Sequence, residues 1–116
     1  MGFLTTHVLD TARGRPADGV LIELFRIGDD RSLLGSVTTN KDGRCEEPLL
    51  ADSDFKNGEY ELIFHAGDYF AATGLVLPEP RFLDRVVIRF GVSDASQHYH
   101  VPLLISPFSY STYRGS

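Results

Sequence analysis

The chain has 116 residues, 42% of them hydrophobic and 23% charged, an ordinary globular balance that excludes a disordered or low-complexity polypeptide. Eleven basic against sixteen acidic side chains leave a net charge of −5, which argues against a binder of nucleic-acid backbones. No apolar run approaches the roughly 18 residues of a membrane helix, no basic-then-apolar leader opens the chain, and the single Cys45 excludes an internal disulfide. The expectation is one domain over residues 1–116 in the reducing cytoplasm, without nucleic-acid or membrane partners.

Taken in chain order, short stretches rich in Val, Ile, Leu, Phe and Tyr alternate with turn residues, the spacing of an all-β sandwich or barrel. The predicted strands are Leu4–Leu9, Val20–Arg26, Leu33–Thr38, Tyr60–His65, Arg85–Phe90, Tyr99–Ile105 and Ser109–Tyr113. Ala12 to Pro16 reads as a loop and Gly28-Asp29-Asp30 as a hairpin tip. Asn40-Lys41-Asp42-Gly43 carries the Asp-Gly turn signal. One helix is predicted over Tyr69–Thr73, with Asp68 as its cap and Gly74 as its left-handed end.

Side chains along a strand point alternately to opposite faces. In Arg85–Phe90 this sets Val86, Ile88 and Phe90 against Arg85 and Arg89. In the Tyr99 strand the core set is Tyr99, Val101, Leu103 and Ile105. The other face carries His98, His100, Pro102 and Leu104. Thr5, His7 and Leu9 share a similar face on the first strand, and Ser109, Ser111 and Tyr113 on the last. Such polar–apolar faces suit a subunit interface or a ligand groove better than plain solvent exposure. Pro102 cannot donate to a ladder, so the neighbouring strand is expected to have diverged there.

Four histidines carry the chemistry within reach of neutral pH. His65 ends a strand and reads as structural. His98 and His100 share a face and form a possible zinc pair with His7 as third ligand, a weak signal. Arg44 reads either as a solvated turn arginine or as a fixed guanidinium holding a carbonyl or anion. The tail Tyr110 to Ser116 is either a ragged end or a segment folded into a site.

Leu4-Thr5-Thr6-His7-Val8-Leu9-Asp10, running on to Ala17, resembles the opening motif of the transthyretin-related proteins, and Thr39-Asn40-Lys41-Asp42-Gly43-Arg44 their middle motif. His98-Tyr99-His100-Val101-Pro102-Leu103-Leu104-Ile105-Ser106-Pro107 and the terminal Tyr113-Arg114-Gly115-Ser116 resemble the C-terminal signature of the 5-hydroxyisourate hydrolases. The resemblance implies a transthyretin-like antiparallel β-sandwich of about eight strands with one short helix, assembled as a homotetramer, a dimer of dimers. It implies hydrolytic ring opening of 5-hydroxyisourate, a small-molecule substrate, with no cofactor and no metal. His7, Arg44 and His100 would be catalytic. Tyr113, Ser111, His98, Arg114, Gly115 and Ser116 would bind substrate together with His7 and Arg44. The competing reading is a transthyretin-like carrier of small ligands without catalysis.

Overall fold

Two sheets face each other in the computed structural model, which describes residues 1–115; Ser116 lies outside the described residues. The strands are β1 (Phe3–Asp10), β2 (Arg15–Pro16), β3 (Leu21–Ile27), β4 (Arg31–Thr38), β5 (Leu50–Ala51), β6 (Gly58–Phe64), β7 (Val86–Val92), β8 (Tyr99–Ile105) and β9 (Tyr110–Thr112). One sheet runs β2-β1-β8-β9, with β5 also paired to β1; the other runs β4-β3-β6-β7. Each of the seven predicted strands is present, with ends displaced by at most two residues. The short β2 and β5 were not predicted, because two residues carry no period. β2 lies inside the stretch expected as loop, folding back on Leu9 and Asp10.

One pair departs from antiparallel geometry. β1 and β8 run parallel, with Thr5 opposite His100, His7 opposite Pro102 and Leu9 opposite Leu104. The chain between them crosses to the other sheet and back, as a parallel pair requires.

The alternation is reflected in burial. On β1, Leu4, Thr6, Val8 and Asp10 are buried, while Thr5, His7 and Leu9 are half-buried on the outer face. On β8, Tyr99, Val101, Leu103 and Ile105 enter the core. On β7, Val86, Ile88 and Val92 do the same. Each such aliphatic side chain contributes about 1.5–3 kcal/mol relative to exposure. The polar groups among them are paired. Thr6 Oγ1 donates to the Val101 carbonyl at 2.7 Å. Asp10, fully buried, accepts from the Tyr69 hydroxyl at 2.7 Å and from Arg13 Nε at 3.0 Å. Burial alone would push the Asp10 carboxyl up, but those bonds outweigh it and hold it below its ordinary value.

The helix, α1 (Ala66–Ala72), begins earlier than predicted. His65 occupies the cap position, and Asp68 lies in the first turn, where it accepts from Arg81 Nη1 at 2.6 Å instead of capping. Gly67 N–H finds its acceptor on the Asp84 carbonyl at 2.8 Å, so no side-chain cap is needed there. Gly74 has φ +96, the left-handed end expected. A seven-residue helix is marginal alone; this one buries Ala66, Tyr69 and Phe70 in the core.

Pro102 also finds its explanation. Its carbonyl faces β9 and accepts from Thr112 Oγ1 at 2.7 Å, and its nitrogen points the same way. β9 ends at Thr112, and the tail returns to the ladder only at Gly115, whose N–H donates to the His100 carbonyl at 2.7 Å. The proline therefore sits where the ladder has an opening and no donor is needed.

Candidate active site

The outer face of β1 and β8 gathers three of the predicted residues. His7 lies on β1, flanked on one side by β8, which carries His100 two residues before the partner of His7. On the other side His7 pairs with Arg44 through an isolated bridge. Residues opposite one another in a ladder put their side chains on the same face. Arg44, His7 and His100 thus come from three adjacent backbone segments onto one surface.

The turn before Arg44 explains how it reaches β1. Asn40 Oδ1 accepts from the Asp42 N–H at 2.9 Å and the Arg44 N–H at 3.2 Å, while Asn40 N–H donates to the Arg44 carbonyl at 2.8 Å. Gly43 has φ +74, and its carbonyl accepts from Val8 N–H at 2.8 Å. A Cβ at position 43 would stand 2.3 Å from the Val8 carbonyl oxygen. Only glycine satisfies both the left-handed backbone and this close approach.

The His100 imidazole is held in place. His100 Nδ1 lies 2.9 Å from Thr5 Oγ1, its cross-strand neighbour. The backbone of Gly115 packs against the same ring, since a Cβ there would come within 2.7 Å of His100 Cδ2. Burial, then the Arg44 charge, then His7 hold the His100 imidazole below its ordinary value of 6.5. His7 is lowered too, by burial and then by Arg44, with the Asp42 backbone and carboxylate opposing. Both shifts favour the uncharged ring, the form that can accept a proton. Arg44 is exposed, and among the described residues its guanidinium has no ion pair. A groove of about 150 Å³ beside it is lined by Thr5, Thr6, Cys45 and Pro48.

The other predicted residues are placed differently. His98 shares the parity of His100 but is exposed at the edge, stacked on Phe3 at 4.4 Å with Nδ1 accepting from the Phe3 N–H at 3.2 Å. Among the described residues no set of three His, Cys, Asp or Glu is arranged to hold a metal ion. Ser111 faces outward opposite Leu104. Tyr113 is exposed and, with Arg114, lines a groove of about 240 Å³ with Ile88, Phe90 and Tyr99, where β7 and β8 leave the sandwich open. The Arg114 guanidinium lies 3.8 Å over the Tyr99 ring and donates to the Gln97 side chain at 3.1 Å and the His98 carbonyl at 3.0 Å, so it clasps the tail to β8. Ser116 is outside the described residues. His65, read as structural, has Nε2 2.8 Å from Glu23. Cys45 is half-buried, and burial pushes its thiol up, away from a reactive thiolate. Thr5 was grouped with His7 by alternation but given no role; its contact with His100 depends on the β1–β8 register, which alternation does not reveal.

The sequence pattern of the HIUase/Transthyretin family matches residues 4–115, nearly the whole chain. The chain belongs to the HIUase/Transthyretin family. Among its curated relatives is the 5-hydroxyisourate hydrolase of Pseudomonas aeruginosa, 60% identical over 117 residues that cover 100% of this chain and 93% of the relative. The crystal structure of (S)-allantoin synthase superposes with a TM-score of 0.94 at 48% identity, covering 99% of this chain and 44% of the longer one. The 5-hydroxyisourate hydrolase of Klebsiella pneumoniae superposes with a TM-score of 0.83 at 36% identity, over the full length of both chains. The transthyretin-like sandwich is thus shared by family members whose own names report different activities. In this member, the face built on β1, Arg44 and β8 brings two of the four histidines beside an arginine that has no ion pair among the described residues.

Proposed function

We propose that this chain is a 5-hydroxyisourate hydrolase. Water adds to a ring carbonyl, a C–O bond forms and the ring C–N bond breaks, giving 2-oxo-4-hydroxy-4-carboxy-5-ureidoimidazoline. The observation that carries the reading is the meeting of two imidazoles and a guanidinium on one face, in a chain 60% identical over its length to a relative of that name. One of His7 and His100 takes the proton from water and a histidine returns a proton to the departing nitrogen. Arg44 holds the carbonyls of the substrate and stabilises the charge that develops on oxygen. Ser111 and the backbone of Gly115 border the pocket, with His98 at its rim, and Arg114 holds the tail on β8 so that Gly115 stays against the His100 ring. The scheme calls on no cofactor.

The same proposal includes the assembly. His7 and His100 lie on an open outer face beside half-buried Leu9 and Leu104 and buried Pro102. A homotetramer, as a dimer of dimers, covers that mixed face and encloses the site between subunits, as suits a sandwich with little room for an internal pocket. The reaction is placed in the cytoplasm, where a free thiol such as Cys45 persists.

The test is an ultraviolet time course of freshly generated hydroxyisourate with and without the protein, beside light scattering for the assembly. Accelerated decay is expected, and His7→Ala or His100→Ala is expected to slow it by about 10²–10⁴. Unaccelerated decay together with tight binding of a thyroxine-like ligand would make the protein a carrier. A monomer would refute the shared site.

A further inference from the structure

We propose that Thr5 is a positioning residue that fixes the orientation of the His100 ring, so that Nε2 is the nitrogen presented to the substrate. This rests on the hydrolase reading of the face. An imidazole seen alone has two ring orientations, related by a half-turn that exchanges Nδ1 with Cδ2 and Nε2 with Cε1. A histidine that must handle a proton at one place needs that orientation resolved.

Two contacts resolve the orientation. The hydroxyl of Thr5 stands 2.9 Å from Nδ1. It is placed there by the backbone, since Thr5 and His100 are direct partners in the parallel ladder. A β-branched residue in a strand also has a restricted χ1. On the Cδ2 side of the ring lies Gly115, tied to the His100 carbonyl at 2.7 Å and leaving no room for a side chain. A half-turn of the ring would put a carbon against the Thr5 hydroxyl, forfeiting the hydrogen bond. It would also turn Nε2 to the other side of the ring axis. The hydroxyl can donate to Nδ1 or accept from it, so the contact holds the ring in place in either neutral tautomer. Thr5 touches no substrate in this account; it acts through His100.

The test compares the wild type with Thr5→Val, which keeps the shape and the strand preference, and Thr5→Ser, which keeps the hydroxyl. Nitrogen NMR of the His100 ring, recorded without substrate at a pH where the ring is neutral, reads whether Nδ1 is hydrogen-bonded. Steady-state kinetics read the split between kcat and KM. The wild type is expected to show an engaged Nδ1. Thr5→Val is expected to lose that bond, with kcat reduced about tenfold and KM little changed, the scale of one lost hydrogen bond. Thr5→Ser is expected to restore both. A wild-type Nδ1 without a hydrogen bond, or a valine variant with unchanged spectrum and kcat, overturns the proposal. If the wild type failed to open hydroxyisourate, the hydrolase reading would fall by the kinetics, and the spectra would still decide whether Thr5 holds the ring.

Discussion

Arg44 acts on its surroundings before it meets any ligand. Its charge and the burial of the two rings hold His7 and His100 below 6.5, so that both favour the uncharged form that accepts a proton. The sign follows: kcat/KM stays on its plateau as pH falls through 6.5 and declines only once an imidazole is protonated at its lowered value. The acid limb of the pH profile is therefore expected below 6.5. Arg44→Gln removes the second-largest cause and should move that limb upward part of the way, burial still acting. A limb at or above 6.5, or one indifferent to Arg44→Gln, would contradict this account of the site. At this scale the sequence was informative about residue types: His7, Arg44 and His100 stand out by chemistry and strand parity. It was silent on Thr5 and on the clasp made by Arg114. Parity tells which face a side chain occupies, but not which residue of another strand lies beside it. For Thr5 that neighbour is fixed by a register that joins residues 95 positions apart.

Among the elements, β9 and the tail behind it do the most with the least chain. β9 has three residues and pairs only with Leu103, Leu104 and Ile105. The chain then swings out at Tyr113, is caught by Arg114 on Tyr99, and returns at Gly115 to His100. The sandwich core contains none of residues 113–115. Deleting residues 113 to 116 is therefore expected to leave the far-ultraviolet circular dichroism unchanged and to abolish turnover. Full activity in the truncated chain would show that the tail is dispensable. The strands themselves were legible because hydrophobic alternation and Gly, Pro and Asp-Gly turns agree along most of the chain. The start of α1 was not. Asp68 looked like a cap, but its carboxylate is engaged by Arg81 from a loop thirteen residues later, a tertiary partner that local propensity cannot register.

For the molecule as a whole, acid should act in two stages. Both histidines are lowered in the fold, so as pH drops below 6.5 the unfolded chain takes up protons that the native chain resists, and stability declines until the native rings titrate. Asp10 and Glu61 are lowered as well, but for another reason. In each, burial raises the carboxyl, and hydrogen bonds outweigh it: from Tyr69 and Arg13 in one, from Arg31 and Arg89 in the other. Their contribution is present above the ordinary carboxylate range and is lost as pH falls through their depressed native values. Thermal melts across pH should therefore show a first decline beginning near 6.5 and a second at more acidic pH. The double variant His7→Gln with His100→Gln should remove the first decline and keep the second; a first decline surviving in that variant would place its origin elsewhere.

The parallel pairing of β1 with β8 also bears on how the protein comes into being. In the sheet β4-β3-β6-β7 the pair β3–β4 is a tight hairpin, and β6 and β7 join across connections shorter than the one that separates β1 from β8, so less loop entropy opposes them. β1 has its long partner only when some ninety residues have been brought round, the kind of closure that slows folding. His7 and His100 meet across that closure. The candidate site is thus assembled by a pairing of long sequence separation, and a chain halted with only the sheet β4-β3-β6-β7 formed would carry every strand of one layer and lack the face that gathers His7, Arg44 and His100.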